Sequence, residues 1–330
     1  MMENASPRKH QFFLMVDSGL IIPPFEDSHI HFTLEGRPPA EGGALSGIRE
    51  SLLSCGITSV REMGHKTGIG LEAKKSAEGT PLRIKASGIA LYKKGTYGVF
   101  LGKAVEKQGQ IPGMIREIAE AGADILKVVN SGIVSPRGEG MVTPGGFSSE
   151  EMRIIGDEAR ERGLEIACHV NGDRAIRDAV LAGVSSVEHG FFVSTETLML
   201  MQEKGVSWTP TAYALSAISS FIPETEQESL ERIISQHLSA INMAASIGVR
   251  LRVGTDSGSK GVPHGKAFIR ELRMFQKAGL TLKEILAAAC LDEEERRKGS
   301  YLIIEKDFLA TGIIRSVVME GKPIILQRGR

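Results

Sequence analysis

Several side chains that can ligate a metal ion lie in or directly after apolar, strand-like segments of this sequence. The segment Asp27-Ser28-His29-Ile30-His31 places two histidines one residue apart. Residues two apart on a β-strand face the same side of it, so His29 and His31 can reach one point together. Imidazole is the commonest metal ligand among protein side chains. The spacing therefore predicts half of a metal site.

Four further polar residues occupy comparable positions. They are Lys127 in the run Ile125 to Val129, His169 after Ile166-Ala167-Cys168, His189 in Val187 to Gly190, and Asp256 in Gly254 to Gly258. Histidines and a carboxylate that converge on one place suit one or two transition metals. Lys127 interrupts an apolar strand, and lysine is rarely buried without a partner. The others also have a structural interpretation, His169 and His189 as capping residues and Asp256 as an N-cap or turn residue.

The remaining histidines and two neighbouring residues are interpreted as structural. Cys168 should face away from a metal that His169 faces, which predicts core packing. Glu188 should point to the face opposite His189, because successive strand residues alternate. The histidines without a strand-end context are predicted to be surface or loop residues, with the interpretation of His264 the most open: His10, His65, His237 and His264.

Composition excludes several classes of protein. The chain has 330 residues, with 42% hydrophobic and 24% charged residues and a formal net charge of zero, which is typical of a globular protein. No basic stripe indicates a nucleic-acid partner. The apolar run Phe12 to Val16 is too short for a signal-peptide core or a membrane span. Three widely spaced cysteines form no disulfide framework, so we expect a cytoplasmic protein without a membrane partner.

The order of strand-like and helix-like segments predicts the fold. Eight apolar strands, each followed by a helix, are the pattern of a (β/α)8 barrel, an α/β fold with its site at the carboxyl ends of the strands. Val249 to Thr255 is the predicted eighth strand, and Leu91 to Gln110 is predicted to be an excursion over one mouth of the fold. A doubly wound open sheet stays an alternative, although no GxGxxG motif follows the first strand.

Local signals add two predictions about loops and termini. Asn130 to Gly146 is a long Gly/Pro-rich loop of the kind that forms lids or binding loops. Ser148 is predicted to be the N-cap of a helix that ends before Gly163. Residues 23–299 are predicted to form the barrel, and residues 1–22 and 300–330 to pack together as a small β appendage.

Taken together, the motifs resemble the amidohydrolase superfamily over about Ile21 to Cys290. The resemblance rests on Asp27-Ser28-His29-Ile30-His31, Gly56-Ile57-Thr58-Ser59-Val60-Arg61-Glu62-Met63-Gly64, Lys127 through Ser131-Gly132, Cys168-His169, Glu188-His189-Gly190 and Gly254-Thr255-Asp256. The chain is most similar to the imidazolonepropionase-related branch, which includes Xaa-Pro dipeptidases and related carboxypeptidases. The lysine motif favours this binuclear branch.

The resemblance implies a metal-dependent hydrolase of amide or peptide C–N bonds in a small substrate. It implies two divalent metal ions, usually zinc. His29, His31 and Asp256 would hold one ion, and His169 and His189 the other. Lys127 would bridge both as a CO2-derived carbamate, since an ammonium group has no lone pair to donate. A hydroxide between the metals would attack the carbonyl, and Asp256 would carry its proton to the leaving nitrogen.

Alternatives for the substrate and reaction stay open. An ester, lactone or phosphotriester hydrolase could use the same metals, and a barrel could bind metal without catalysis. Asn171 stands where mononuclear deaminases of the superfamily usually carry Glu, which argues against deamination. Arg137 is a candidate anchor for a substrate carboxylate, or a solvated loop arginine. Asn171 is the second candidate substrate contact, and the short terminal segments leave homo-oligomer formation open.

Overall fold

A computed structural model of the protein describes residues 13–16, 19–39, 42–137 and 141–324. Strands and helices alternate over most of these ranges. The strands are β1 (Leu14–Val16), β2 (Gly19–Ile22), β3 (Phe25–Ile30), β4 (Ile57–Glu62), β5 (Arg83–Ala86), β6 (Ala90–Lys93), β7 (Gly102–Val105), β8 (Ile125–Val129), β9 (Glu165–Val170), β10 (Ser186–His189), β11 (Ser207–Thr209), β12 (Tyr301–Ile304), β13 (Ile314–Met319) and β14 (Lys322–Ile324).

Helices connect most of the parallel strands. They are α1 (Gly42–Ser54), α2 (Ile69–Ser76), α3 (Ile111–Glu120), α4 (Ser149–Glu161), α5 (Asp173–Leu181), α6 (Thr195–Lys204), α7 (Ala212–Ala217), α8 (Glu224–Ile247), α9 (Lys266–Lys277), α10 (Leu282–Ala289), α11 (Glu293–Arg297) and α12 (Phe308–Thr311), with 3-10 turns at Gln108–Gln110 and Ile218–Phe221. In the ranges that the structure describes, no helix combines the length and the apolar character needed to cross a membrane.

Two parallel sheets carry the strand ends predicted to hold the site. One has the strand order β3-β4-β5, and the other has the order β11-β10-β9-β8-β6-β7. Val129 pairs with His169, and His169 pairs with Glu188, so the carboxyl ends of β8, β9 and β10 lie level. The α/β class with parallel strands is confirmed. The regular ladders of the described residues form separate sheets rather than one closed sheet.

The predicted eighth strand, Val249 to Thr255, is wrong as a regular element. Isolated parallel bridges join Leu251 to Trp208 and Ser257 to Ile30, and the Ser28 amide donates to the Val253 carbonyl at 2.9 Å. The segment therefore lies between β11 and β3 without a continuous ladder. A Cβ at Gly254 would lie only 2.8 Å from the His29 Cβ, so this close approach requires glycine.

The prediction that Leu91 to Gln110 is only an excursion is also corrected. The segment contains most of β6 and all of β7, and β6 pairs in parallel with both β7 and β8. Ala90 pairs with Gly102, where an added Cβ would overlap the Ala90 backbone. The abundant glycine and lysine of Leu91 to Gln110 do not indicate strands, yet the segment contributes to two strands of the six-stranded sheet.

Strands from both ends of the chain form a third, antiparallel sheet. Its order is β1-β2-β12-β13-β14. Leu302 of β12 pairs with Ile22 of β2, and both side chains are buried. The sheet packs on the main hydrophobic core, where the ring of Phe25 lies against Phe268 and Phe308 at centroid distances of 5.1 and 5.8 Å. The division at residues 22/23 and 299/300 stays a prediction.

Helix α4 shows how local sequence sets an element boundary. The Ser148 hydroxyl accepts a hydrogen bond from the Glu151 amide at 3.2 Å, and the Glu151 carboxylate accepts one from the Ser148 amide at 3.0 Å. This reciprocal capping box satisfies two amides that the first helical turn leaves free. The predicted N-cap is confirmed, and the helix ends at Glu161, before Gly163. It leads into β9, whose end carries His169.

Candidate metal centre

His29, His31 and Asp256 meet at one end of the parallel strands. Both histidines are buried, and their Nε2 atoms lie 3.6 and 3.3 Å from the Asp256 Oδ1 atom. One potential ligand atom from each of the three residues lies within 4.8 Å of the others. This arrangement could hold a metal ion. The His-x-His spacing predicted that the two imidazoles share a face, and Asp256, also a predicted ligand, joins them from residues 251–257.

Hydrogen bonds to the outer ring nitrogens orient both imidazoles. The His29 Nδ1 atom lies 2.8 Å from the Glu188 Oε2 atom, and the His31 Nδ1 atom lies 2.9 Å from the Gly64 carbonyl. Carbonyl and carboxylate oxygens accept, so each Nδ1 donates and each neutral ring keeps its lone pair on Nε2. Burial lowers the pKa of His29 to about 4, which keeps this ring neutral.

The resulting cluster points three electron-rich atoms at one place. Two imidazole lone pairs and a carboxylate oxygen repel each other unless a proton or cation lies among them. Outer partners that fix the tautomer of a ligating histidine are a regular feature of metal sites. The donor set formed by His29, His31 and Asp256 therefore fits a divalent metal ion.

His169 and His189 lie beside this cluster. The ring centroid of His189 is 4.9 Å from that of His29 and 4.6 Å from that of His169. The His169 Nε2 atom donates to the Gly132 carbonyl at 3.1 Å, which leaves the lone pair on Nδ1. Burial lowers the pKa of His169 to about 3. The structure thus brings four imidazoles and one carboxylate into a single group.

Lys127 supplies a buried amine next to these rings. The residue is 1% exposed, and its Nζ atom has no hydrogen-bond partner. Burial lowers the pKa of Lys127, and its charge in turn helps to lower the pKa values of His29 and His169. An unpaired ammonium group in this position is costly. A negatively charged group bonded to the Lys127 Nζ atom would remove this unpaired buried charge.

Unusual backbone conformations occur at the centre. His189 and Asp256 have φ angles of +67° and +57°, and Thr211 has +49°. Such left-handed non-glycine residues are strained and cluster at functional sites. Contacts hold them: the Thr211 hydroxyl lies 2.7 Å from the His189 Nδ1 atom, and the Asp256 amide donates to the His29 carbonyl at 2.8 Å.

A cavity of about 240 Å3 opens beside the centre. His169, His189 and Asp256 form part of its lining, together with apolar side chains that include Ile133, Phe191 and Leu215. It can therefore enclose a small substrate with an apolar group next to the cluster.

The two candidate substrate residues differ in position. Asn171 lines the cavity, but its amide already donates to the Gly132 carbonyl at 3.3 Å and accepts from the Phe191 amide at 3.1 Å. The Arg137 side chain is 79% exposed, and its Nε atom lies 3.3 Å from the Glu226 carboxylate. Arg137 does not belong to the cavity lining. Its anchoring role stays a prediction.

Two interpretations of individual residues are wrong. Glu188 was predicted to face away from the centre, yet its carboxylate is fully buried and contacts His29. The positive φ of His189 interrupts the alternation on which that prediction depended. The surface or loop assignment fails for His237, which is buried inside helix α8. His65 and His264 do lie in loop or turn segments, but both are buried. His10 lies outside the described residues.

The burial of His237 could have been predicted from the sequence. His237 occurs four residues after Ile233 and four before Ile241, which is the spacing of a buried helical face. Its ring stacks on Phe191 at 3.7 Å between centroids, and its Nε2 atom donates to the Pro210 carbonyl at 3.0 Å.

Cys168 is buried in the hydrophobic core, so its predicted packing role is confirmed.

Sequence comparisons identify relatives of this chain. An uncharacterized protein of Mycobacterium tuberculosis is 27% identical over 282 residues, which cover 84% of this chain and 74% of that protein. The ochratoxinase of Aspergillus niger is 27% identical over 317 residues, which cover 82% of this chain and 64% of the ochratoxinase.

A solved structure shares the fold. A crystal structure of a Xaa-Pro dipeptidase with bound methionine in the active site superposes with a TM-score of 0.75 at 21% identity, over 92% of this chain and 86% of the other. Residues 19–294 match the Amidohydrolase family, whose hydrolase relatives support a hydrolase here. Because this match spans most of the sequence, the chain belongs to the amidohydrolase family.

Proposed function

We propose that this chain is a binuclear metal-dependent amidohydrolase that cleaves an amide or peptide C–N bond in a small substrate. The observation that carries the proposal is the grouping of His29, His31 and Asp256, with ligand atoms within 4.8 Å of one another. His169, His189 and the orphaned amine of Lys127 adjoin this group and extend the donor set.

The donor set suits two divalent ions, with zinc as the first choice. His29, His31 and Asp256 would hold one ion, and His169 and His189 the second. Lys127, carboxylated by CO2, would bridge the two, which removes its unpaired positive charge and supplies two oxygens. A bound divalent ion lowers the pKa of water to about 7 and polarises a carbonyl.

The protein's own groups position the substrate and move the proton. The Asp256 carboxylate accepts a proton from the attacking water and donates it to the leaving nitrogen. Burial holds the pKa of Tyr97 well above its usual range, so its hydroxyl stays protonated and can donate a hydrogen bond in the cavity. The apolar lining favours substrates that carry a hydrophobic side chain next to the scissile bond. The named relatives, an ochratoxinase and a Xaa-Pro dipeptidase, support a search among small amides.

The site also requires a continuous scaffold, and we infer that it is an eight-stranded barrel. Hydrogen bonds connect the sheet edges: the Asp124 amide donates to the Ala86 carbonyl at 2.8 Å, and residues 251–257 bond to both β11 and β3. Residues 23–299 would form this barrel, with residues 1–22 and 300–330 as the β appendage. Three unpaired cysteines support a cytoplasmic location.

The test is a substrate screen on metal-replete protein, with the metal content of the same sample measured. The panel contains dipeptides and N-acyl amino acids with apolar side chains, and matched esters, lactones and phosphotriesters. We expect the amides to be the preferred substrates. Preference for the esters, lactones or phosphotriesters would favour the alternative hydrolase, and metal binding without turnover would indicate a silent barrel.

A matched pair of variants connects turnover to the centre. Asp256→Asn should lower kcat by about a hundredfold or more, since it removes the proton carrier. Asp157→Asn changes a carboxylate on the exposed face of α4, 44% exposed, and should leave kcat unchanged. Equal activity of the two variants would contradict the assigned role of Asp256.

A further inference from the structure

A second polar cavity lies at the opposite end of the parallel strands from the candidate metal centre. Its volume is about 390 Å3, and its lining includes Arg61, Glu165, Lys204, Arg250 and Arg252. Glu165 begins β9, whereas His169 lies four residues further along the strand. At roughly 3.3 Å per residue this separates the two positions by about 13 Å. The residues that line this cavity do not line the cavity beside the candidate metal centre, although the charge of Arg61 acts on Lys127 and Glu188.

Arg61 lines this cavity and carries buried donors without hydrogen-bond partners. Its side chain is 2% exposed, and its Nε and Nη2 atoms have no hydrogen-bond partner. The Glu165 carboxylate lies 3.5 Å from Nη2, and the Lys85 amine approaches the same carboxylate at 3.7 Å. One half-exposed carboxylate thus faces two cations. Buried guanidinium groups normally make several hydrogen bonds. The Nε and Nη2 donors of Arg61 make none.

Arg252 is a second cation with an unsatisfied donor. Its side chain is 21% exposed, and its Nε atom is buried without a hydrogen-bond partner. The Nη1 atom lies 3.4 Å from the Glu26 carboxylate, which also accepts hydrogen bonds from Ser28 and Ser59. Burial lowers the pKa of Arg252, and the positive charges of Arg61 and Arg250 lower it further. These cations repel one another across the cavity.

The charges around the cavity do not balance. Arg61, Lys204, Arg250 and Arg252 contribute four positive charges to the lining, against one carboxylate, that of Glu165. Lys204 also lies 3.1 Å from Glu203, an exposed neighbour on the same helix. Even with Glu26 included, an acceptor with two negative charges would relieve the repulsion.

We propose that this cavity binds a phosphate-sized dianion, either free phosphate or the phosphate group of a small monoester. Planar guanidinium forks match the oxygens of a phosphate group and form charge-assisted hydrogen bonds with them. The volume exceeds that of phosphate alone and leaves room for a short organic group. The ligand stabilises the fold from the end of the strands that does not carry the candidate metal centre.

Calorimetric titration with inorganic phosphate tests the proposal, with chloride at equal ionic strength as the salt control. Lys204 and Arg250 are exposed, so the double variant Lys204→Ser/Arg250→Ser should fold. We expect it to bind phosphate at least about tenfold more weakly than the unmodified protein, since it loses two charged contacts. The control, Arg177→Ser/Lys277→Ser, removes two exposed cations from helices α5 and α9 and should not change the affinity.

The variants separate this cavity from other phosphate sites. Phosphate held at the metal centre would bind equally well to both double variants, and that result would overturn the proposal. Failure of the unmodified protein to bind phosphate would overturn it as well. Thermal melts should show a Tm that rises with phosphate concentration and does so less in Lys204→Ser/Arg250→Ser. Tighter binding of glycerol phosphate than of phosphate would identify a monoester as the ligand; equal or weaker binding would identify free phosphate.

Discussion

Replacing Glu188 by glutamine should weaken metal binding without touching a proposed ligand atom. The Glu188 Oε2 atom accepts from the His29 Nδ1 atom at 2.8 Å, and the carboxylate also accepts from the Ser186 hydroxyl. Burial would raise the pKa of Glu188, but the contact with His29 and the charge of Lys127 lower it to about 2. The carboxylate is therefore ionised and makes the His29 ring a stronger electron donor.

The magnitude follows from this one contact. A hydrogen bond to a charged group contributes about 1.5–3 kcal/mol, which corresponds to roughly 10- to 150-fold in an equilibrium constant. Mutations of such outer partners typically cost about 10- to 100-fold in metal affinity. Glutamine keeps one oxygen for His29 and loses the charge, so we expect Glu188→Gln to raise the Kd for zinc by about 10- to 100-fold.

The assay is competition between metal-free protein and a fluorescent zinc chelator. Glu271→Gln is the control, because Glu271 also carries a fully buried carboxyl group, but its contacts are with the backbone amides of Ala212 and Tyr213 and not with a proposed metal ligand. Circular dichroism checks that both variants are folded. A Kd for Glu188→Gln within threefold of the unmodified protein, or an equal loss in Glu271→Gln, would refute the reasoning.

Three further predictions concern buried groups near the centre. Lys127→Met should lower the zinc content, measured by mass spectrometry, from about two ions to about one per chain. The Tm of the metal-free variant, measured by thermal melts, should not fall, because an unpaired buried amine is removed. Full zinc content in the variant would contradict the bridging role of Lys127. Burial raises the pKa of Glu271 to about 8 from its ordinary 4.5. Between these values the unfolded chain loses a proton that the folded chain keeps, so stability relative to Glu271→Gln should fall by up to about 1.4 kcal/mol per pH unit as pH rises; urea unfolding at pH 5.5 and 7.5 should show this fall, and a constant difference would contradict it. Trp208→Phe removes a donor that lies 2.9 Å from the His189 carbonyl and should destabilise the protein by about 1–3 kcal/mol, also measured by urea unfolding; an unchanged free energy of unfolding would rule out that contribution.

Local periodicity predicted much of the candidate site. The one-residue spacing of His29 and His31 indicated a shared face, and strand-end positions indicated His169, His189 and Asp256. These predictions need only the geometry of strands and the level ends of a parallel sheet. The structure places all five side chains in one group.

The partners of these residues depend on departures from regular geometry. The contact between Glu188 and His29 accompanies a positive φ at His189, which strand alternation does not predict. The segment that carries Asp256 passes close to His29 at Gly254 and forms bridges instead of a regular strand. Tertiary contacts set these conformations, and no short sequence pattern encodes them.

The buried charges at the far end of the strands illustrate the same limit. Arg61 and Arg252 are nearly two hundred residues apart in the sequence, and only the tertiary structure brings both to one cavity. In the structure both residues line this cavity, and each has a buried donor without a hydrogen-bond partner. Composition alone, with its balanced total charge, conceals such a local excess.

Anomalous diffraction from crystals grown with zinc tests the central claim most directly. Data collected on both sides of the zinc absorption edge locate each ion without assumptions about its ligands. We predict one peak among His29, His31 and Asp256, and a second beside His169 and His189 with Lys127 between them. Zinc found only at the surface, with these side chains making no metal contact, would contradict the assignment of a metal centre.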